Sequence, residues 1–342
     1  MKHPYRVGEI AVQAGLSKAT VDRVLHARGG VRADTERQVR QAISDLDRQR
    51  SQLRLDGRTF LVDVVVQAPQ RFSSAVRSAL EAELPSLAPA AVRCRFSFRE
   101  SGPVGELAAT LDRIGRRGSH GIVLKAPDAP EVGAAVQRLG RAGIPVVTLV
   151  TDLPGSGRLA YLGMDNRTAG ATAAYLVGQW LGDRPGNVLV TVSSSAFRGE
   201  EEREMGFRAA MRAAQPSRAL VEVTGSEGLD SAQRDLVLAA LHRDPDLVAV
   251  YSIGGANLAT VDAFDAVGRS YAVFVAHDLD EDNLRLLHGG RLSAVLHHDL
   301  GRDLREACRV IMQAQGALPS RPPPWPSTIQ IVAPFNVPAP PD

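Results

Sequence analysis

The chain has 342 residues, more than one ordinary domain needs, and a globular composition: 44% hydrophobic, 5% aromatic and 23% charged. A formal net charge of +2 does not by itself imply a polyanion partner, and the apolar runs, such as 64–66 and 144–150, are strand-sized and too short to span a membrane. The two cysteines, Cys94 and Cys308, lie far apart with no second Cys or His at ligand spacing, which argues against a disulfide framework or zinc site and for reduced, buried thiols.

The distribution of charge says more than its sum. Residues 1–59 carry twelve Lys+Arg against seven Asp+Glu, and the remainder 28 against 31. A basic head on a slightly acidic body suits nucleic-acid contact at one end only. The opening Met1-Lys2-His3-Pro4-Tyr5-Arg6 lacks the apolar run of a secretory signal, so a cytoplasmic location is expected.

Three short helices read at the N-terminus. The first covers about 7–14, with Ile10, Ala11 and Ala14 on one side. Gly15-Leu16-Ser17 makes a turn, and Ser17 is a good N-cap for a second helix over about 18–26, whose apolar face is Val21, Val24 and Leu25. After the loop Arg28-Gly29-Gly30-Val31, Asp34 can cap a third helix carrying Val39, Ala42, Ile43 and Leu46 at helical spacing. These three faces can close a miniature core. From Phe60 the pattern changes. Strand-like runs at 60–66, 92–98, 121–124, 144–150, 188–192, 220–223, 248–251, 273–276 and 293–296 alternate with amphipathic stretches such as 74–84, 104–116 and 130–142. The alternation predicts parallel sheets covered by helices on both faces, and the number of strands predicts two similar lobes. A proline-rich stretch over 319–326 leads to a last strand at 328–332.

Enzyme motifs are missing. Ser193-Ser194-Ser195 has no nucleophile-elbow context, and nothing resembles a P-loop. His297-His298-Asp299 invites a metal reading, but adjacent residues on a strand point to opposite faces. No catalytic residue, metal or cofactor is expected.

The head has a helix, a glycine-permitted turn and a second helix that presents Lys18, Ala19, Asp22 and Arg23 outward. Such a helix fits the major groove of double-stranded DNA, with its first residues at base edges and its N–H groups, Ser17 or Thr20 at phosphates. The bland alternative is a small bundle with a solvated charged face. The run Ala14-Gly15-Leu16-Ser17-x-x-Thr20-Val21-x-Arg23-Val24-Leu25 is more specific than that. It resembles the N-terminal signature of the lactose-repressor (LacI) family of regulators, and the likeness extends through Val31-Arg32-Ala33-Asp34-Thr35 to about Leu46. The resemblance puts the family's base-reading positions on Lys18, Ala19 and Arg23. Arg23 would contact guanine bidentately or, alternatively, pair with Asp22. Asp22 and His26 replace the Ser and Asn usual in the family; Asp22 would read a cytosine amino group or orient Arg23. The family's aromatic-Pro-Asn linker and hinge helix have no clear counterpart, since the segment after Leu46 is about four residues short and holds no Tyr, Pro or Asn. Leu53 best matches the Leu that the family wedges into the minor groove, with Arg54 and Arg58 near the backbone; the alternative for Leu53 is an apolar contact that extends the third helix.

The body resembles the type I periplasmic sugar-binding fold that these regulators share. The likeness rests on Gly121-Ile122-Val123-Leu124, Ala142-Gly143-Ile144-Pro145-Val146-Val147, Gly163-Met164-Asp165-Asn166 with Ala169-Gly170, and Glu202-Arg203-Glu204-Met205-Gly206-Phe207. It implies a ligand cleft between lobes, with contacts from Asp152, Asn166, Arg203 and Asp278, an aromatic wall at Phe72, His298 (or His297) where the family often has Gln, and more loosely Asn257. Against these stand plainer roles. Asp152 and Asp278 could cap helices or shape turns, Arg203 could pair with Glu200 or Glu204, and Phe72 could be core. Arg71 and Ala126 stand where sugar binders often have an aromatic and an Asn, so an anionic polyol or sugar acid also fits the extra Arg.

The expected architecture is a small all-α helix-turn-helix head plus an α/β two-lobed periplasmic-binding-protein-like (type I) domain with parallel sheets. The head would cover 1–47, a hinge or linker 48–59, and the effector-binding and dimerisation body 60–342. Its first lobe would take about 60–160 and 292–322, and its second about 161–291 and 323–337. The function implied is a DNA-binding regulator, a repressor, switched by a sugar, sugar acid or polyol. Its partners would be operator DNA, the effector and a second copy of the chain, with no membrane. The alternatives are a solute-binding protein of a sugar transport system and a cytoplasmic α/β enzyme.

Overall fold

The computed structural model describes residues 4–322 and 325–338; the side chains of residues 48 and 51–54, among them Leu53 and Arg54, lie outside that description. The head is three helices, α1 (Val7–Ala14), α2 (Lys18–Leu25) and α3 (Ala33–Leu55). Gly15 ends α1 in the left-handed region (φ 63°), and Ser17 caps α2 by accepting from the Thr20 N–H. Ile10, Ala11, Ala14, Val21, Val39 and Ala42 form the predicted small core.

The third helix departs from expectation. It does not give way to a linker near residue 47 but runs on to Leu55, which is buried in the core beneath the following sheet. The cause is local: residues 47–55 contain no Gly or Pro to stop a helix, and the chain turns only at Gly57 (φ 69°).

The first lobe contains β1 (Thr59–Gln67), α4 (Gln70–Glu83), β2 (Ala91–Arg99), α5 (Val104–Arg117), β3 (Gly121–Lys125), α6 (Pro130–Arg141), β4 (Val146–Leu149) and β5 (Ala160–Leu162). Its parallel sheet has the order β2-β1-β3-β4-β5. β5, three residues long, is missing from the sequence reading because so short a run shows no period. The second lobe holds α7 (Asn166–Leu181), β6 (Asn187–Val192), α8 (Arg198–Ala214), β7 (Leu220–Thr224), α9 (Asp230–Arg243), β8 (Leu247–Ser252), α10 (Asn257–Ala266), β9 (Val273–His277), α11 (Glu281–His288) and β10 (Ala294–His297). Then α12 (Leu300–Ala314) returns to the first lobe, and β11 (Gln330–Val332) joins the second sheet, ordered β11-β10-β9-β8-β6-β7. Among the described strands, β11 alone runs antiparallel to its neighbour.

Each sheet is covered on both faces. Val76, Leu80, Leu304, Cys308 and Ile311, from α4 and α12, bury one side of the first sheet, and Leu107, Leu111, Ile114 and Val136, from α5 and α6, bury the other. Ala173, Val177, Phe207 and Met211 of α7 and α8 cover one side of the second sheet, and Val237, Leu241, Phe264 and Leu287 of α9, α10 and α11 the other. One expected boundary is corrected. The sequence reading gives about 292–322 to the first lobe, but β10 pairs with β9 through Ala294–Val275 and Val295–Ala276, so the chain crosses back only after His297. The signal was ambiguous because an apolar run does not say which sheet it joins.

The helices α7 and α8 cross at two glycines. A Cβ on Gly170 would fall 1.9 Å from the Arg203 carbonyl oxygen, and one on Gly206 would fall 2.0 Å from that of Arg167. Only hydrogen fits at either crossing point, and the close approach brings Arg203 of α8 against Asn166 at the start of α7.

Candidate functional site

On α2, Ser17, Lys18, Ala19, Arg23 and His26 are exposed, and Thr20 and Asp22 are half-exposed. The hydroxyls of Ser17 and Thr20 lie 2.8 Å apart. Asp22 does not take Arg23 as its partner. Its carboxylate binds Arg28 at 3.0 Å and His26 at 3.1 Å, both C-terminal to the helix, and among the described residues Arg23 makes no ion pair. The helix therefore presents Lys18, Ala19 and Arg23 outward, with an acid beside them that is already neutralised.

The second site is a cavity of about 200 Å³ between the lobes. Its wall is built where parallel strands end: Gln67 closes β1, Lys125 closes β3, Val150 follows β4, Ser193 follows β6, Ile253 follows β8, His277 closes β9 and Asp278 follows it. The carboxyl ends of two doubly wound sheets thus face each other, the position at which open α/β sheets receive ligands. Val150 (φ 65°) and Asp278 (φ 62°) hold left-handed backbone at the rim of the cavity, a conformation that Asp tolerates but that is rare for a β-branched residue such as Val150.

Arg203 is the centre of the wall. It is 3% exposed, and its Nε donates to Asn166 Oδ1 at 2.8 Å. Nη1 lies 3.8 Å from Asp278 Oδ2, and Nη2 is buried without a hydrogen-bond partner among the described residues. Opposite stands Lys125, buried, with Nζ 4.0 Å from the centre of the Phe197 ring and 5.4 Å from that of Phe72. Burial pulls its pKa down to about 8, against the opposing pull of Glu200 and Asp278. Glu200 accepts from Ser193 N–H at 2.8 Å, Ser193 Oγ at 2.5 Å and Ser194 N–H at 3.4 Å. Gln67 Oε1 and His277 Nδ1 are also buried without hydrogen-bond partners among the described residues. Burial, with Arg203 and His298 nearby, keeps the His277 imidazole neutral, well below its ordinary pKa.

Of the residues predicted for ligand contact, Phe72, Arg203 and Asp278 line this cavity. Four do not. Asp152 is taken by Arg158, whose Nε and Nη2 lie 2.5 and 2.6 Å from its carboxylate, and by Thr148 Oγ1 and the Leu153 N–H. Asn166 sits behind the wall: besides receiving Arg203, it donates to the Val150 carbonyl at 3.1 Å and so ties the strained turn to the guanidinium. Asn257 donates to Asn283 at 2.7 Å, and Asn283 in turn holds the carbonyls of His277 and Asp278. His298 is at the lobe crossover, 2.7 Å from Asp303, whose other oxygen receives Ser327 on the last crossing segment. Lys125, Phe197, Glu200 and Gln67 escaped sequence reading. For the first and last, their places as final residues of strands were the usable signal.

The lobes are joined across the cleft. Arg71 of α4 donates to the Gly228 carbonyl at 2.9 Å and lies 3.5 Å from Asp280 and 3.6 Å from Asp230, all in the second lobe. A Cβ on Gly255 would fall 2.7 Å from Arg71 Nη2, so the guanidinium fills a notch. The Gly199 N–H also donates to Thr151 Oγ1, and Asp128 N–H to the Ala196 carbonyl. Among the described residues no cluster of three or more His, Cys, Asp or Glu could hold a metal ion, and no helix is long and apolar enough to cross a membrane.

Two opposed doubly wound sheets with a polar cavity between them, behind a helix-turn-helix, define a DNA-binding regulator with a ligand-binding body. The family of periplasmic binding protein domains matches residues 64–317, and the lacI family of bacterial regulatory proteins matches residues 7–50. The chain belongs to the LacI family of transcriptional regulators, with a periplasmic-binding-protein-type domain as its body. No curated protein sequence matches it. Among solved structures, GanP, a glucose-galactose binding protein from Geobacillus stearothermophilus, is similar with a TM-score of 0.72 at 18% identity, over 82% of this chain and 99% of that one. A solute-binding protein of an ABC transporter from Burkholderia graminis, in complex with D-arabinose, gives 0.73 at 19% identity over 82% and 96%. A protein described as a LacI transcriptional regulator from Bacteroides fragilis gives 0.71 at 14% identity over 82% and 98%. At these identities the likeness is one of fold.

Proposed function

We propose that the chain is a homodimeric repressor that reads operator DNA through α2 and is switched by a small polyhydroxylated ligand, a sugar, sugar acid or polyol, bound between the lobes. The observation that carries this is the joining, in one chain, of a lacI-type head to a cleft whose central guanidinium is buried with a donor to spare. A buried, unspent N–H of a charged group is costly, and a ligand oxygen satisfies it. Phe72 and Phe197 line the cavity and would give the apolar side of a sugar aromatic carbon to rest on. On α2, Lys18, Ala19 and Arg23 would contact bases, with Arg23 the candidate for guanine; Ser17 and Thr20 would meet phosphate.

Two heads of a dimer must meet two half-sites at fixed spacing, so a change in lobe geometry alters operator affinity only as far as the ligand prefers one geometry. The test is a gel shift with DNA from upstream of neighbouring genes, with and without sugars, sugar acids and polyols. A shift that one of them changes supports the reading. A protein that binds such a ligand but no DNA would be a solute-binding protein instead.

A further inference from the structure

The donors and acceptors around the cavity do not balance. Lys125 Nζ carries three N–H donors as an ammonium; among the described residues its one hydrogen-bond acceptor is the Gln67 carbonyl at 3.3 Å, with the Phe197 ring beneath it. Arg203 has five, of which Nε is bonded to Asn166, and Nη2 has no hydrogen-bond partner among the described residues. The nearby acids do not make up the difference. Both oxygens of Glu200 already receive Ser193, and Asp278 stands 3.8 Å from Arg203, beyond hydrogen-bond distance. Two cationic groups, each at least nine-tenths buried, thus aim surplus donors into one cavity. A neutral hydroxyl oxygen accepts at most two donors and brings no charge; an anionic oxygen pair has about four acceptor sites and also repays the cost of burying charge.

We propose that the ligand carries an anionic group, carboxylate or phosphate, that is seated on Lys125 and Arg203, while a short polyol body lies against Phe72 and Phe197 and gives a hydroxyl proton to Gln67 Oε1. The ligand is a sugar acid or a sugar phosphate. This rests on the reading of the cleft as a polyol site. The charged groups facing Lys125 are Glu200 and Arg203 of α8 and Asp278 after β9. A bound anion adds a negative charge to that set and holds the ammonium, which in the free protein loses its proton at about pH 8. Affinity for the anion therefore falls as pH rises above about 8.

The experiment is calorimetric titration and thermal melting of the full chain with matched sets: D-glucose, D-gluconate, D-glucuronate and D-glucose 6-phosphate, then the corresponding galactose and arabinose compounds. The expected result is binding by an anionic member and none by its neutral parent, with the carboxylate and phosphate arms telling the two sources apart. A neutral sugar that binds as tightly as its acid overturns the anionic ligand but leaves the polyol cleft standing. Silence from every compound overturns both. Lys125→Met should weaken the responding anion by about tenfold or more, and an unchanged Kd overturns the proposal. Should that variant fail to fold, the parent chain decides: affinity for the anion that is flat from pH 7 to well above pH 8 overturns it too.

Discussion

The head and the cleft are built by opposite rules. On α2, Lys18, Ala19 and Arg23 face solvent, and Arg23 has no ion-pair partner among the described residues, so each residue acts for itself. In the cleft, Arg203 is held by Asn166, Asn166 also holds the Val150 turn, and Asn257 holds Asn283, which holds Asp278. A surface made of independent groups can change one letter at a time. A buried network answers as a unit, and its members couple.

That contrast can be broken at its strongest point first. Arg203→Met should weaken the ligand by about a hundredfold or more, because it removes charge-assisted bonds and takes the donor from Asn166 Oδ1, while operator binding without ligand stays intact. Titration and gel shift read the two effects separately, and a retained ligand response would dissolve the proposed site. Next comes Gly206→Ala. Its Cβ would fall 2.0 Å from the Arg167 carbonyl, a backbone atom that cannot step aside, so the variant should lose about 3 kcal/mol in denaturant unfolding and lose ligand affinity with it. Arg23→Ala tests the opposite rule: about 1–3 kcal/mol of discrimination at one base position, with melting and ligand affinity untouched. If its effect spread over every position, Arg23 would be a phosphate contact.

Two smaller effects sharpen the edge of the cleft. Asp152→Asn should lower stability by about 1 kcal/mol without changing ligand affinity, because Arg158 and not the cavity holds it. Burial pushes the Asp152 carboxyl up, but the bonds from Arg158, Thr148 and the Leu153 N–H bring it below its ordinary pKa. Its stabilising share is therefore present above the ordinary carboxylate range and lost as pH falls through its lowered value. Asp280 behaves in reverse. Burial raises it to about 6 despite Arg71, so the stability it adds is present below its ordinary pKa and is lost as pH rises through about 6. Melting temperatures of Asp280→Asn and the parent chain, compared from pH 5 to 7.5, should diverge in the variant's favour as pH rises.

How much of this could be read beforehand follows from the same contrast. The head was legible because its sequence states its own geometry: Ser17 caps, Gly15 turns, and Val21 packs on Ile10 and Val39. The strands were legible as apolar runs, apart from Ala160–Leu162. The cleft was legible in height but not in direction. A residue just past a strand lies at the right level, yet Asp152 turns to Arg158, six positions on, and His298 turns to Asp303. Nothing in the spacing of Lys125 and Phe197, on different lobes, announces that the amine will sit over the ring. Such pairings form only when the sheets close on each other.

One feature of the head bears on what operator binding can feel. α3 is 23 residues long, about 34 Å at 1.5 Å per residue, and one end lies in the head's core while Leu55 at the other is anchored beneath β1. An unbroken rod of that length is a lever arm. A tilt of about 5° where it meets the lobe sweeps its far end through about 3 Å, close to the 3.4 Å rise between neighbouring base pairs. Motions too slight to notice at the cavity would arrive at the groove as a step of one whole rung.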